Sequence, residues 1–308
     1  EGIARGGGGL MDIWKLGIVA APLSELIRAG RIDQPVTWVE GEGSYRFLAD
    51  PFGLHREGEL FVFAEAYDYR TRLGAIDVLR FGPDHILRER RRCLAEPWHL
   101  SYPFVFGADG ETWMLPEASR SGRVTLYRAT RFPDAWERVT ILDLPHVAID
   151  ATPFRHEGRW WLLYLGNEAL HLAFADVLTG PWHLHPDSPL TRDPRGARPG
   201  GTPVQVDGRL CAPVQDCSLT YGGAVRLLWF ETLAPDRAVT HLGDQIVAPP
   251  SAGIFRDGLH TLSACGPVTL IDVKRVERSP LRLPVDLLGR SRRAVRGWRA
   301  RFPRTPPR

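Results

Sequence analysis

The sequence predicts an all-β fold, and within that class a five-bladed β-propeller whose blades are four-stranded antiparallel sheets. Three observations support this: a hairpin pattern that recurs along the chain, its regular spacing, and a further β-type run behind each copy. The clearest copy, ADPFGLHREGELFVFAEA, runs from Ala49 to Ala66. It places an acidic residue and a glycine between two apolar runs, and glycine accepts the positive φ that a tight hairpin turn requires.

The hairpin pattern occurs five times. Further copies begin at Ser101, Asp150 and Gly200, and a weaker one, PSAGIFRDGLHTLSACG, begins at Pro250. The five turns carry the pairs Glu57-Gly58, Asp109-Gly110, Glu157-Gly158, Asp207-Gly208 and Asp257-Gly258. An interval of about 50 residues between turns is typical of propeller blades. The alternative is one large β-sandwich with coincidental turn spacing.

A third β-type run follows each hairpin, for example LGAIDVLRF from Leu73 and AVRLLWFETL from Ala224, and a more polar fourth run follows in most units. Four antiparallel strands repeated five times make a five-bladed propeller. This assignment accounts for the chain from the first hairpin to about residue 276.

The residues before the first hairpin add two strand candidates, 14–21 and 34–40. Between them the sequence predicts one short helical turn, which Ser24 caps and Gly30 ends. We expect one of the N-terminal strands to complete the last blade, around residues 254–276. Such closure removes the exposed sheet edges that would otherwise pair with other chains.

The chain divides into three segments. Residues 1–13 read as a leader or a remnant of expression, residues 14–278 as the propeller, and residues 279–308 as a basic C-terminal tail. The tail is interpreted as solvated, or as a peripheral contact with an anionic membrane surface or a polyphosphate partner. Because the sequence shows no secretory signal and no membrane-spanning run, we expect a cytoplasmic protein.

Composition excludes several functions. A net charge of +3 supplies no field that would favour nucleic acid. The four cysteines lack the spacing of metal ligands, and a chain of 308 residues does not need disulfide staples. We favour reduced thiols over a pairing of Cys211 with Cys217, and we expect no cofactor. We assign no metal, because no set of ligands in the sequence requires one, but the sequence leaves a metal at the centre of the channel open.

Polar residues recur where strand one of each blade begins and strand two ends. Because these two points lie on the same face of a propeller, we expect the side chains to meet at one mouth, where small molecules bind. The candidates are Asp50, Glu65, His99, Tyr102, Glu117, Asp150, Asn167, Arg198 and Asp216. Each also has a structural interpretation, as a turn cap or as a bond to a neighbouring blade.

Carboxylates that share a cleft suit glycosidic chemistry, in which one protonates the leaving oxygen and another activates water or attacks carbon. Crowding also raises the pKa of one acid while another stays ionised. Asp50, Asp150, Glu117 and Glu65 are the candidate catalytic residues. His99, Tyr102, Arg198, Asn167 and Asp216 are the candidate substrate-binding residues.

Several motifs also carry a family resemblance. Asp50-Pro51, the segment IDATPF and the five-fold register resemble the five-bladed propellers of the glycoside hydrolase 43, 32 and 68 superfamily. The segments FLADPF and HLSYPFVF are more similar to the N-terminal propeller of plant glucosamine inositolphosphorylceramide transferases and related bacterial proteins. The resemblance extends from about Trp14 to Val276.

The resemblance implies that Asp50 is a catalytic base and that Asp150 orients substrate and tunes its partner's pKa. The hydrolases' general acid, a Glu near the start of blade four, has no counterpart in Gly200-Gly201-Thr202-Pro203. One hypothesis is an inverting glycoside hydrolase in which Glu117 or Glu65 is the acid. A second is a non-catalytic glycan- or glycolipid-binding propeller that assists a glycosyltransferase. A third is a protein-interaction propeller with an inert channel.

Overall fold

The computed structural model describes residues 10–278 except Glu42 and Ser44. The chain opens with strand β1 (Leu10–Val19), helix α1 (Leu23–Ala29) and strand β2 (Val36–Trp38). Blade one consists of β3 (Arg46–Arg56), β4 (Glu59–Asp68), β5 (Leu73–Phe81) and β6 (Leu87–Leu94). Blade two consists of β7 (Ser101–Ala108), β8 (Glu111–Glu117), β9 (Val124–Arg131) and β10 (Ala135–Leu142), with a 3₁₀ turn at Ser119–Ser121.

The remaining strands continue the pattern. Blade three consists of β11 (Ile149–His156), β12 (Arg159–Gly166), β13 (Ala169–Ala175) and β14 (His183–Leu184). Blade four has a divided inner strand, β15 (Arg198–Pro199) and β16 (Val204–Val206), followed by β17 (Arg209–Asp216), β18 (Ala224–Ala234) and β19 (Arg237–Gln245). Beyond a 3₁₀ turn at Pro250–Ala252, β20 (Gly258–Cys265) and β21 (Val268–Arg278) begin blade five.

The five antiparallel sheets confirm the predicted propeller. Blade five combines both ends of the described chain, in the order β2-β1-β21-β20, with Leu10 opposite Arg278. The sequence predicted one closing N-terminal strand, and the structure uses two. Since β1 starts at Leu10, residues 10–13 belong to this blade rather than to the predicted leader.

The four strong hairpin turns are confirmed. In each, the acidic residue and the following glycine both have positive φ, for example 52° at Asp109 and 80° at Gly110. Two consecutive positive φ angles match the right-handed strand twist, so the turn closes without splaying the strands. This explains why glycine recurs at the second position.

The fifth predicted turn, Asp257-Gly258, is wrong. Strand β20 starts at Gly258, and the hairpin turns instead at Gly266, whose φ is 58°. Because the N-terminus supplies two strands of blade five, the C-terminal part needs only two, and its inner strand lies later in the chain. Gly258 has a packing role: a Cβ there would lie 2.2 Å from the carbonyl oxygen of Gly222.

Helix α1 packs Leu23, Leu26 and Ile27 into the core. Its N-cap is Pro22 rather than the predicted Ser24, whereas Gly30 ends it as predicted, with φ 67°. No helix in residues 10–278 is long and apolar enough to cross a membrane. The C-terminal tail lies outside the described residues.

Candidate functional site at the propeller axis

A β-bulge in the innermost strands directs chosen side chains toward the axis. Pairing between strands one and two skips a step around Asp50, Tyr102 and Asp150, whose φ angles are 51°, 43° and 51°. In blade five the pairing skips His260 in the same way. A bulge re-aims one side chain out of the strand's normal alternation. Residues far apart in sequence thereby meet at one place.

Tyr102 connects four blades across the axis. Its backbone N–H donates to Asp50 Oδ2 at 3.1 Å, and its hydroxyl lies 3.0 Å from Thr152 Oγ1 in blade three. The hydroxyl also accepts a hydrogen bond from Gly201 N in blade four at 2.9 Å. Since the side chain is fully buried, Tyr102 fills the channel rather than lining an open one.

Asp50 is buried and has hydrogen-bond partners on both oxygens. Besides Tyr102 N on Oδ2, Thr261 Oγ1 donates to Oδ1 at 3.3 Å, and His260 Nε2 lies 3.3 Å from the same oxygen. Burial, followed by the neighbouring Asp150 and Asp272, raises the pKa of Asp50 from its ordinary 3.8 to about 7, against the opposing effect of His260. This carboxyl group therefore titrates near neutral pH.

His260 bridges two carboxylates. Its Nδ1 lies 2.7 Å from Asp272 Oδ1, and Asp272 Oδ2 accepts the backbone N–H of Asp50 at 2.8 Å. Trp14 stacks on the imidazole with ring centroids 3.7 Å apart. Burial favours the neutral ring, but Asp272 and Asp50 outweigh it and raise the pKa of His260.

The ligand atoms of Asp50, His260 and Asp272 lie within 4.8 Å of one another, as in a metal site. Each ring nitrogen of His260, however, lies against a carboxylate oxygen. An imidazolium uses both nitrogens as donors, whereas a metal needs the lone pair of one. The arrangement therefore fits a proton-bearing histidine between two acids.

Asp150 is neutralised locally. Arg198 Nε donates to Asp150 Oδ2 at 2.5 Å, and Gln215 Nε2 donates to the same oxygen at 3.0 Å. The guanidinium carbon of Arg198 lies 4.9 Å from the ring centroid of Tyr221. Burial raises the pKa of Asp150, and Arg198 opposes that shift. Such a buried carboxylate depends on its cation.

Glu65 lies beside His99. Gly74 N donates to His99 Nδ1 at 2.8 Å, so the ring proton sits on Nε2, 3.5 Å from Glu65 Oε1. Burial lowers the pKa of His99 to about 3, which keeps the ring neutral. Burial also raises the pKa of Glu65 well above its ordinary value, and nearby carboxylates, led by Asp50, add to the shift.

Glu117 accepts hydrogen bonds from Ser101 Oγ at 3.1 Å and from Ser119 N at 2.7 Å. It acts electrostatically on both Glu65 and Asp150. The four candidate acids from three blades thus influence one another, which is the convergence that the sequence predicted. All four are buried.

Two candidates are not part of this cluster. Asn167 is exposed in the turn after β12, and its carbonyl oxygen accepts from Arg192 at 3.4 Å. Asp216 is buried within blade four, where Arg226 and Gln245 both bond to its Oδ2. Ser218 and Arg226 lower the pKa of Asp216 to about 2, against the effect of burial.

The sequence analysis missed His260, Asp272 and Gln215. The first two were missed because the fifth turn was assigned to Gly258 rather than Gly266, which placed His260 on the second strand. Gln215 precedes the predicted Asp216, and alternation along β17 turns one toward Asp150 and the other toward Arg226. Aligning Gly266 with the other turn glycines would have placed His260 on the inner strand of blade five, at the position equivalent to Asp50.

Blade four presents backbone where the other blades present side chains. Gly201 N–H donates to Tyr102, and a Cβ on Gly201 would lie 1.9 Å from the carbonyl oxygen of Leu262. Its φ of 147° is also one that side chains disfavour. Only glycine fits at this point.

The fold and this axis define a class, the five-bladed propellers with acids at the centre. A putative glycoside hydrolase from Bacteroides ovatus ATCC 8483 superposes with a TM-score of 0.54 at 15% identity, covering 83% of this chain and 93% of that one. A GH43_1 enzyme from Xanthomonas citri gives a TM-score of 0.53 at 13% identity, covering 82% and 93%. At these identities the likeness shows the shared fold.

Sequence comparison then identifies the family. The profile described as "Glucosamine inositolphosphorylceramide transferase 1, N-terminal" matches residues 34–240, and the chain belongs to this family. Glucosamine inositolphosphorylceramide transferase 1 from Oryza sativa subsp. indica is 38% identical over 211 residues, which are 63% of this chain and 28% of the rice protein. The match thus spans little more than a quarter of that relative. These findings confirm the resemblance stated above.

Proposed function

We propose that this protein is a carbohydrate-binding propeller that holds a glycan or glycolipid headgroup at its mouth without cleaving it, in the service of a glycosyltransferase. A structural neighbour named as a glycoside hydrolase and relatives named glucosamine inositolphosphorylceramide transferase 1 both support a carbohydrate ligand. Because the chain spans a small part of its relatives, the transferase partner is a separate element of the proposal, and glycan binding is tested without it.

Gly201 is the observation that carries the non-catalytic assignment. In the hydrolases that the chain resembles, blade four contributes the general acid near this position. Here a single added carbon would collide with Leu262. The remaining acids are buried and hold structural bonds: Asp150 to Arg198, and Asp50 to Thr261 and Tyr102 N. Proton transfer requires a group within reach of the substrate.

The mouth above the acids offers a surface for a sugar. Tyr221 lies over Arg198 and is only partly buried. Asp50, Asp150 and Glu65 all act on the pKa of its hydroxyl, which burial raises. An aromatic ring with a polar tip presents an apolar face to a sugar and a hydroxyl for its orientation.

A hydrolytic function is the second candidate, and the pKa of Asp50 near 7 favours it. A general base is most effective when its pKa lies close to the working pH. In this alternative Asp50 activates water, Asp150 adjusts the pKa of its catalytic partner, and Glu117 or Glu65 protonates the leaving oxygen. The two candidates make opposite predictions about turnover.

The test measures binding and turnover on the same protein. We expect the full chain to bind members of a glycan and glycolipid array, Tyr221→Ala to weaken that binding, and Val239→Ala on outer strand β19 to leave it unchanged. We expect no hydrolysis of a panel of aryl glycosides. Turnover that Asp50→Asn abolishes would establish the hydrolase instead. Absence of any glycan binding would overturn both carbohydrate assignments.

A further inference from the structure

The most exposed large apolar side chain among the described residues lies at the mouth. Leu219 is 98% exposed in the loop that joins β17 to β18, two residues before Tyr221. Because strand two of each blade ends on the mouth face, this loop belongs to the rim. A single exposed leucine is ordinary on a protein surface. Its significance depends on whether other exposed apolar side chains accompany it.

A neighbouring rim loop carries a second exposed apolar side chain. Ile254 is 64% exposed in the loop that leads into the inner strand of blade five. The two loops adjoin, because Tyr221 of one and Phe255 of the other pack against the same apolar cluster, which includes Trp14. Leu219 and Ile254 therefore project from one part of the rim, where blades four and five meet.

Hydrogen bonds fix the bases of both loops. The buried Lys274 donates through Nζ to Thr220 Oγ1 at 3.3 Å and to the carbonyl oxygen of Tyr221. In the other loop, Asp257 Oδ2 accepts the backbone N–H of Val276 at 2.7 Å. The exposed side chains are thus carried by fixed backbone, so a partner that buries them need not order these loops first.

The basic C-terminal segment continues from the same face. Strand β21 runs away from the turn at Gly266, so it ends at Arg278 on the mouth face, in the blade that carries Ile254. Residues 279–308 follow, with nine arginines, no lysine and one acidic residue, Asp286. An anionic lipid bilayer accepts apolar side chains at its headgroup boundary and attracts basic segments. Exposed apolar tips beside concentrated positive charge match that chemistry.

The opposite face also exposes apolar side chains, but in a different setting. Ile86 is 56% exposed there, between β5 and β6 of blade one, and Val177 is 55% exposed after β13 of blade three. These two blades are not neighbours, and both ends of the described chain, Leu10 and Arg278, lie on the mouth face instead. The combination of adjoining apolar tips and a basic segment is therefore specific to the mouth.

We propose that the mouth face is a membrane-docking surface, on which Leu219 and Ile254 enter the headgroup region of an anionic bilayer and residues 279–308 bind its surface charge. The proposal goes beyond glycan binding and does not depend on it, because a bilayer without any glycan is the partner. In the docked orientation the mouth and Tyr221 face the lipid headgroups.

The experiment measures sedimentation of the full chain with phosphatidylcholine vesicles that contain or lack phosphatidylserine. We expect binding to the anionic vesicles, which weakens as salt increases. Leu219→Gln and Ile254→Gln should each weaken that binding about tenfold, because an apolar side chain is lost from the lipid. Ile86→Gln is the matched control, since it removes a similarly exposed isoleucine from the opposite face, and it should leave the binding unchanged.

A second variant tests the charge. Replacing Arg292 and Arg293 together by glutamine should weaken binding to the phosphatidylserine vesicles about tenfold or more, because each basic side chain near the surface adds to the attraction. Thermal unfolding of each variant verifies that it is folded.

Three results would overturn the docking surface. The first is equal weakening of vesicle binding by Ile254→Gln and Ile86→Gln. The second is vesicle binding that Leu219→Gln does not change, which would assign the contact to the basic segment alone. The third is a wild-type dimer that Leu219→Gln dissociates, with no vesicle binding, which would show that a second copy covers these side chains. Glycan binding is measured on an array without lipid, so the two proposals fail separately.

Discussion

Asp50 should make the stability of this protein fall as pH rises. A carboxyl group whose pKa is higher in the folded than in the unfolded state binds its proton more tightly when folded. Its contribution is complete below the unfolded pKa of 3.8 and disappears as pH passes the folded pKa of about 7. Substitution by asparagine keeps the size and an acceptor oxygen for Tyr102 N but removes the titration.

The magnitude follows from the pKa difference. At about 1.36 kcal/mol per pKa unit, a rise from 3.8 to about 7 is equivalent to about 4 kcal/mol across the interval. His260 acts in the same direction, because its raised pKa adds stability at low pH that is lost as the ring deprotonates. Arg198 and Asp150 also face the cluster and are retained in the variant.

The assay is urea unfolding of the wild type and of Asp50→Asn at intervals from pH 4 to pH 8. From pH 4 to pH 8, the free energy of unfolding of the variant should rise by up to about 4 kcal/mol relative to that of the wild type. Asp109→Asn is the matched control, because Asp109 has nearly the same φ, 52° against 51°, but is exposed in a hairpin turn. A pH-independent difference, equal to that of the control, would refute the argument that Asp50 holds a proton.

Two further substitutions test the packing of the axis. Gly201→Ala should lower the free energy of unfolding by about 3 kcal/mol or more, because the new methyl group would overlap the carbonyl of Leu262. Gly107→Ala, in an open position, should lower it by about 0.5 kcal/mol or less. Equal urea midpoints for the two variants would contradict the close approach of Gly201 to Leu262. Arg198→Gln should cost about 3–5 kcal/mol by leaving Asp150 buried without its cation, and adding Asp150→Asn should restore much of that loss. Strict additivity in this double-mutant cycle would show that the pair is not coupled.

The axis of this propeller is also its point of closure. Asp272 of blade five accepts the backbone N–H of Asp50 in blade one, and Thr261 donates to the Asp50 side chain. These bonds join the last blade to the first, beside the pairing of β1 with β21. Asp50, a candidate catalytic residue, therefore also joins the first blade to the last.

The site was predictable from sequence where the repeat was strong. Asp50, Tyr102 and Asp150 each stand at the start of a clear copy, and the structure brings all three to the axis. His260 holds the equivalent place in the weakest copy, so its assignment depended on the correct turn. The local signal favours the wrong glycine, because Gly258 follows an acidic residue as the other four turn glycines do, whereas Gly266 follows Cys265. What distinguishes them is the arrival of β1 and β2 from the other end of the chain.

Periodicity determined the architecture of this protein, because hairpins and alternating strands are local features that a short stretch of residues encodes. The sequence by itself therefore specified five blades, four of the five turns and most of the acids that converge. Which of those acids have partners was decided only by tertiary structure. Arg198 beside Asp150, His260 between Asp50 and Asp272, and Gly201 against Leu262 are contacts across blades, and the distance between such groups follows from ring closure rather than from any local pattern.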